Sequence, residues 1–334
     1  MYLKILLVIV LTINIYFSGF AFAEQGILKT IVLQNEPVQI AINSKLNKIY
    51  ITHKDNDLVT VIDGNIDEVE TTFNVSGGPN GIDINKRNNR IYIVTENEDK
   101  LTIINQTDNS ILRSISVGSK PLSVAINSRT GKAYVTNSNS DNISVIDSGV
   151  RKVIDKISVG NNPVDLAIDE SKNHIFVINQ SSEDLYAIDG GSNNTIKKAS
   201  LDSKPYSIIF NPFDGKAYIS NQGSNKISSA ELKKAFFLTS LKTDDFNAGE
   251  TPSGLALNKK GTKLYVANRD SDKVSIINLG NKKIEKTIDV GDGPTQLAFN
   301  SKTSKLYVIN RKSKTVSVIG DILGTPATTP TSRI

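Results

Sequence analysis

A proline recurs along this chain at a nearly constant interval, and this repeat constrains the fold more than any other feature of the sequence. Consecutive prolines from Pro37 to Pro205 are 42 residues apart, Pro252 follows after 47, and Pro294 follows after another 42. An aromatic residue lies thirteen positions after every one of them: Tyr50, Tyr92, Tyr134, Phe176, Tyr218, Tyr265 and Tyr307. The chain is therefore expected to contain seven related units.

Each unit carries four short segments with the composition of β-strands. In the third unit these are "SVAIN", "KAYVTN", "NISVID" and "VIDKISVG", which are rich in Val and Ile and are bounded by Asn, Ser, Asp and Gly. Four strands in about 42 residues is the size of a propeller blade. The sequence predicts an all-β, seven-bladed β-propeller of four-stranded blades.

The two ends of the repeat predict how the ring closes. The seventh unit ends after "KTVSVIG" without a fourth strand, while "KTIVLQNEP" near the N-terminus (Lys29 to Pro37) matches "KTIDVGDGP" (Lys286 to Pro294). We expect the N-terminal strand to complete the last blade, which pairs both termini and protects a sheet edge. The fifth unit is longer, and its extra residues "KTDDFNAGE" are expected to form a longer loop.

The N-terminal segment has the pattern of an export signal. Lys4 precedes an apolar run that ends in the small-x-small motif Ala21-Phe22-Ala23. Cleavage after Ala23 is the expectation, and a retained membrane anchor is the alternative. The predicted organisation is residues 1–23 as a signal peptide, 24–320 as the propeller and 321–334 as a flexible Thr/Pro-rich tail.

Composition limits the chemistry of the chain. It has no Cys and no Trp, so disulfides, thiolate metal sites and a cysteine nucleophile are excluded. The formal charge is +5, which becomes +4 when the signal with its single Lys4 is removed. This mild basicity is compatible with an anionic partner, including weak nucleic-acid binding, but it is below that of a dedicated nucleic-acid binder.

One motif resembles a known family. Residues Tyr134 to Asn137 read "YVTN", and "YITH", "FVIN", "YISN", "YVAN" and "YVIN" stand at equivalent places. This pattern resembles the YVTN-repeat β-propeller family, which includes YncE-like periplasmic propellers and archaeal surface-layer proteins. The resemblance covers residues 26–320 and implies the fold, but no activity, because such folds host many functions.

The loop after each second strand supplies the first candidate site. Its opening Asn (Asn137 in unit three) is expected to be structural, since Asn tolerates a left-handed backbone and bonds its own turn. The next position varies between units. In units six, seven and one it is basic, as Arg269, Arg311 and Lys54. Ring closure would bring these together near two further residues, His53 and Lys312. We predict an anion or acidic-polymer site there; a solvated charged face is the alternative.

Two carboxylates near the axis supply the second candidate site. Asp83 replaces the Ala found in most units, and Asp165 follows Pro163 by two residues. With Asn80 they could hold a divalent cation such as calcium through oxygen ligands. Isolated carboxylates in a wet channel are the alternative explanation.

Signals for catalysis are poor. The only histidines, His53 and His174, are predicted on opposite sides of the ring, and no nucleophile elbow, P-loop or H-E-x-x-H motif occurs. We therefore expect an exported, monomeric, non-catalytic binding scaffold without a cofactor, located in the periplasm, at the cell surface or outside the cell. Its partner would be a protein or an acidic polymer. The alternatives are a metal-assisted, lactonase-like hydrolase that uses Asp83 and Asp165, and a structural surface-layer component.

Overall fold

The computed structural model describes residues 26–85, 87–235 and 238–320. The strands form seven sheets of four antiparallel strands, and each sheet corresponds to one unit of the sequence. The predicted seven-bladed propeller is therefore confirmed. The signal peptide and the tail of the predicted organisation lie outside the described residues.

The strand bounds follow the repeat closely. Blade 1 contains β2 (Gln39–Asn43), β3 (Lys48–His53), β4 (Leu58–Asp63) and β5 (Glu68–Asn74). Blade 2 contains β6 (Pro79–Asn85), β7 (Arg90–Thr95), β8 (Lys100–Asn105) and β9 (Ile111–Ser116). Blade 3 contains β10 (Pro121–Asn127), β11 (Lys132–Asn137), β12 (Asn142–Asp147) and β13 (Lys152–Ser158). Blade 4 contains β14 (Pro163–Asp169), β15 (His174–Asn179), β16 (Asp184–Asp189) and β17 (Thr195–Ser200).

The remaining blades include the irregular one and the closing one. Blade 5 contains β18 (Pro205–Asn211), β19 (Lys216–Asn221), β20 (Lys226–Ala235) and β21 (Leu238–Asn247). Blade 6 contains β22 (Pro252–Leu257), β23 (Lys263–Asn268), β24 (Lys273–Asn278) and β25 (Lys283–Asp289). Blade 7 contains β26 (Pro294–Asn300), β27 (Lys305–Asn310), β28 (Thr315–Ile319) and the N-terminal β1 (Ile27–Val32). A 3₁₀ turn covers Lys54–Asn56, and the described part of the chain contains no helix that could cross a membrane.

The N-terminal strand closes the ring as predicted. Strand β1 pairs antiparallel with β28, with Ile31 opposite Val316. Just beyond this strand, the Leu33 amide donates to the Lys314 carbonyl at 2.8 Å. The Val75 amide makes the same bond to the Asp57 carbonyl in blade 1, also at 2.8 Å. The closing strand therefore docks like the fourth strand of a continuous blade.

The apolar core is divided into seven layers, one between each pair of neighbouring blades. Strand alternation produces this division, because successive side chains point to opposite faces of a sheet. In β3, Ile49 and Ile51 pack against blade 7, whereas Tyr50 between them packs against blade 2. Each blade is thus stabilised by both of its neighbours.

The prediction of a longer loop in the fifth unit is wrong. Strands β20 and β21 are 10 residues each, and their pairing runs without a break from Lys226 and Asn247 to Ala235 and Leu238. The extra residues lengthen both strands of this hairpin. Leu232 and Leu241 pack beside the layer between blades 4 and 5, so the extension has an apolar contact to hold it.

Candidate functional site at the mouth of the channel

Two sets of loops meet at one end of the ring, which we call the rim face. One set precedes the first strand of each blade, and the other joins the second and third strands. Backbone hydrogen bonds link the sets within a blade: the Glu96 amide donates to the Gly78 carbonyl at 3.0 Å, and the Arg311 amide donates to the Gly293 carbonyl at 2.9 Å. The two loops therefore share one rim, so side chains from both can act together.

The Asn that ends the second strand is structural, but for a reason different from the one predicted. Asn137 is fully buried; its amide donates to Ser144 Oγ at 3.0 Å, and its carbonyl oxygen accepts from the Gly118 amide at 3.0 Å. The left-handed residue of this turn is the later Asp141, with φ of 48°. Its carboxylate accepts from the Asn162 amide of the next blade at 2.8 Å. The turn therefore connects neighbouring blades.

A cavity of about 330 Å³ opens on the rim face. It lies on the axis, because its lining comes from six blades and because first strands of neighbouring blades contact one another around the ring. Polar and charged side chains dominate the lining: Gln39, Asn80, Glu96, Lys120, Ser123, Asn162, Asp165, Gln180, Gln296 and Arg311, together with Tyr206. This channel mouth is the candidate site.

Glu96 occupies one side of the mouth and is neutralised there. Its side chain is only 8% exposed, and it pairs with Lys54 of blade 1 at 2.8 Å and with Lys120 at 4.0 Å. The Asn80 amide also donates to it, at 2.8 Å. Lys54, predicted as part of the basic site, is therefore held by an acid of blade 2.

Two arginines, Arg269 of blade 6 and Arg311 of blade 7, belong to the predicted basic site. Arg269 pairs through Nε with Asp270 at 3.1 Å, and Arg311 pairs through Nε with Glu36. A guanidinium has five N–H donors. Among the described residues, no hydrogen bond engages the four Nη donors of either arginine. Each acid therefore pairs with the Nε of its arginine and leaves the Nη donors available to a ligand.

Tyr206 of blade 5 lines the same cavity as Arg311. It is partly exposed to the cavity, and burial raises the pKa of its phenol, while Arg311 and Arg269 oppose that rise. Both guanidinium groups therefore act on the same hydroxyl. The mouth brings together a neutral phenolic donor and two anchored cations, which is suited to holding an oxyanion.

The other two members of the predicted basic site, Lys312 and His53, differ in exposure. Lys312 is exposed on the rim, where its stem lies against Gly293. His53 is only 1% exposed; its Nδ1 lies 3.1 Å from the Glu36 carbonyl and its Nε2 lies 2.8 Å from Thr60 Oγ1. Burial lowers the pKa of His53. Both ring nitrogens are occupied, and His53 takes the place that Asn holds in other blades.

The residues predicted to hold a cation serve contacts between blades. Asp165 accepts from Ser123 Oγ of blade 3 at 2.7 Å and from the Ile208 amide of blade 5 at 3.0 Å, and desolvation raises its pKa. Asp83 accepts from the Ile126 amide of blade 3 at 2.9 Å. Within residues 26–85, 87–235 and 238–320, no three His, Asp or Glu side chains come together in a way that could hold a metal ion.

Sequence reasoning missed Tyr206, Lys120 and the role of Glu96. A signal for Tyr206 was present, because it is the only aromatic residue directly after a repeat proline; the other positions hold Val38, Asn80, Leu122, Val164, Ser253 and Thr295. An aromatic side chain that interrupts an otherwise small or aliphatic position marks a departure from the repeat. Such departures indicate function better than the repeated residues do.

Comparisons with known proteins agree with the fold. A family model described as YncE-like beta-propeller matches residues 123–327. Hydrazine synthase from Kuenenia stuttgartiensis is similar in structure, with a TM-score of 0.78 at 18% identity over 86% of this chain and 96% of that one. The Cps50 (Swd1) beta-propeller domain from Myceliophteria thermophila is similar with a TM-score of 0.75 at 10% identity, over 88% and 99% of the two chains. No curated protein matches the sequence.

Proposed function

The chain belongs to the YncE-like β-propeller family, and from this premise we propose that it is an exported, non-catalytic scaffold that binds an anionic group at the mouth of its channel. The ligand carrying that group is an acidic polymer or an acidic region of a protein. The expected monomer and the location outside the cytoplasm belong to the same proposal. The pattern of residues 1–23 supports export.

The arrangement of Arg269 and Arg311 carries this proposal. Each guanidinium is paired at Nε with a neighbouring carboxylate; Arg311 lines the cavity, and Arg269 occupies the same loop position on the rim of the neighbouring blade 6. Guanidinium groups bind carboxylate or phosphate oxygens through planar contacts with several donors. An anion between them would also accept a hydrogen bond from the Tyr206 hydroxyl.

A charge-reversal experiment tests the proposal. The double variant Arg269→Glu/Arg311→Glu changes the mouth, and Lys259→Glu/Lys260→Glu makes the same change in net charge. The two lysines are exposed in the turn between β22 and β23, at the opposite end of blade 6. Binding of heparin to the purified protein is measured by titration calorimetry at several salt concentrations, with thermal unfolding as the check on folding.

We expect the arginine variant to lose at least about tenfold in affinity, which is about 1.4 kcal/mol, and to lose much of the salt dependence. The lysine variant should lose about twofold or less. Equal losses in both variants would mean that only net charge matters and would overturn the proposed site. Export is tested by expressing the full chain and measuring the mass of the released protein, which should begin at Glu24.

A further inference from the structure

The lining of the channel mouth indicates which kind of anion it takes, an inference that rests on the proposed function. We infer that the mouth binds a single sugar acid, a hydroxylated ring that carries a carboxylate, as the end group of an acidic glycan. The carboxylate would lie between Arg269 and Arg311, and the hydroxyl groups would face the amide side chains across the cavity.

The amide side chains form the first argument. Five line the cavity: Gln39, Asn80, Asn162, Gln180 and Gln296. Three of them use one end in the protein. Asn80 donates to Glu96, Gln180 donates to the Pro205 carbonyl at 3.3 Å, and Gln39 accepts from the Ile40 amide at 3.1 Å.

The opposite ends of these three amides make no hydrogen bond with any described residue. They are the side-chain carbonyl oxygens of Asn80 and Gln180 and the side-chain amide nitrogen of Gln39. A carboxamide offers both donors and acceptors. Hydroxyl groups also donate and accept, so a polyhydroxylated ring matches this lining better than a bare inorganic anion, which only accepts.

The shape of the site forms the second argument. The cavity of about 330 Å³ is lined by residues from six of the seven blades. It holds roughly eleven waters at about 30 Å³ each, which is the scale of one small ligand. A nucleic-acid strand needs an extended basic groove with successive aromatic platforms. The mouth has one aromatic residue, Tyr206, and is a cup at the axis, so it accepts the end of a polymer rather than its middle.

The chemistry of Tyr206 forms the third argument. Tyr206 and Arg311 line the same cavity, and the positive charges of Arg311 and Arg269 act on the Tyr206 hydroxyl. A phenol that stays protonated can donate to a carboxylate, and its ring offers an apolar face to the C–H groups of a sugar. One residue thus contacts both the anionic and the neutral part of the proposed ligand.

Titration calorimetry with small probes tests the inference. D-glucuronate is compared with acetate, which has the charge and lacks the hydroxyls, and with D-glucose, which has the hydroxyls and lacks the charge. We expect D-glucuronate to bind at least about tenfold more tightly than either. Gln180→Leu/Gln296→Leu should reduce D-glucuronate affinity at least fivefold and leave acetate affinity unchanged, with thermal unfolding as the check on folding.

The outcomes separate the two claims. If heparin binding depends on Arg269 and Arg311 but D-glucuronate binds no better than acetate, the anion site stands and the sugar-acid inference is overturned. If the glutamine variant weakens D-glucuronate and acetate binding equally, the amides do not select hydroxyl groups and the inference is also overturned. If neither heparin nor any small probe depends on the arginines, the proposed function fails as well.

Discussion

Replacing Ile31 by alanine tests whether the N-terminal strand closes the ring. Ile31 is 6% exposed and packs in the layer between blades 7 and 1, opposite the fully buried Val316. The change removes three carbons, which costs about 2.4 kcal/mol at about 0.8 kcal/mol per buried CH₂. The cavity left behind adds to that cost, so we expect a loss of about 3 kcal/mol, within the usual range for such substitutions.

The neighbouring Val32 provides a matched control. It lies on the same strand but is 76% exposed, so Val32→Ala should change the free energy of unfolding by about 0.5 kcal/mol or less. Equilibrium unfolding in urea is followed by tyrosine fluorescence and circular dichroism, since the chain has no Trp. Equal stabilities for the two variants would show that β1 is not docked in blade 7 and would refute this account of ring closure.

Three further predictions concern single positions. Burial lowers the pKa of His53 in the folded protein, whereas the unfolded chain binds the proton below about pH 6.5, so the free energy of unfolding should fall as the pH drops through 6.5. His53→Asn should reduce this dependence in acid unfolding curves while keeping a bond to Thr60. Asp272→Ala should cost about 1–2 kcal/mol in urea unfolding because the Gly293 amide loses its acceptor at 2.7 Å, whereas Asp272→Asn should be nearly neutral. Glu96→Gln removes a negative charge from the mouth, so heparin should bind several-fold more tightly in calorimetry; weaker binding would contradict the placement of the anion.

The fold followed from the sequence because the repeat is nearly regular. The prolines mark the first strand of every blade, and the match between Lys29–Pro37 and Lys286–Pro294 identifies the closing strand. Periodic patterns of this kind reflect local requirements for strands and turns, which are the same in every blade. The structure of blade 5 was harder to predict, because an insertion can lengthen either a loop or both strands of a hairpin. The packing of Leu232 and Leu241 favours the longer hairpin.

The candidate site was only partly predictable. Arg269 and Arg311 were identified because they are basic at a rim position that varies between units, and the structure places Arg311 in the lining of the mouth. Arg269 pairs with its sequence neighbour Asp270, whereas the pairs Arg311–Glu36 and Lys54–Glu96 join separate blades and depend on side-chain directions that the repeat does not encode. The burial of His53 was not evident from the sequence, because its position at the end of β3 does not show which way its side chain points.

A crystal soaked in selenate gives the most direct test of the central claim that the channel mouth binds an oxyanion. Selenium is located by its anomalous scattering, independently of any assumption about the natural ligand. We expect a peak whose oxygens lie within about 3 Å of the terminal nitrogens of Arg311 or Arg269 and of the Tyr206 hydroxyl. An empty mouth beside selenate bound at lysines of the outer strands would contradict the account.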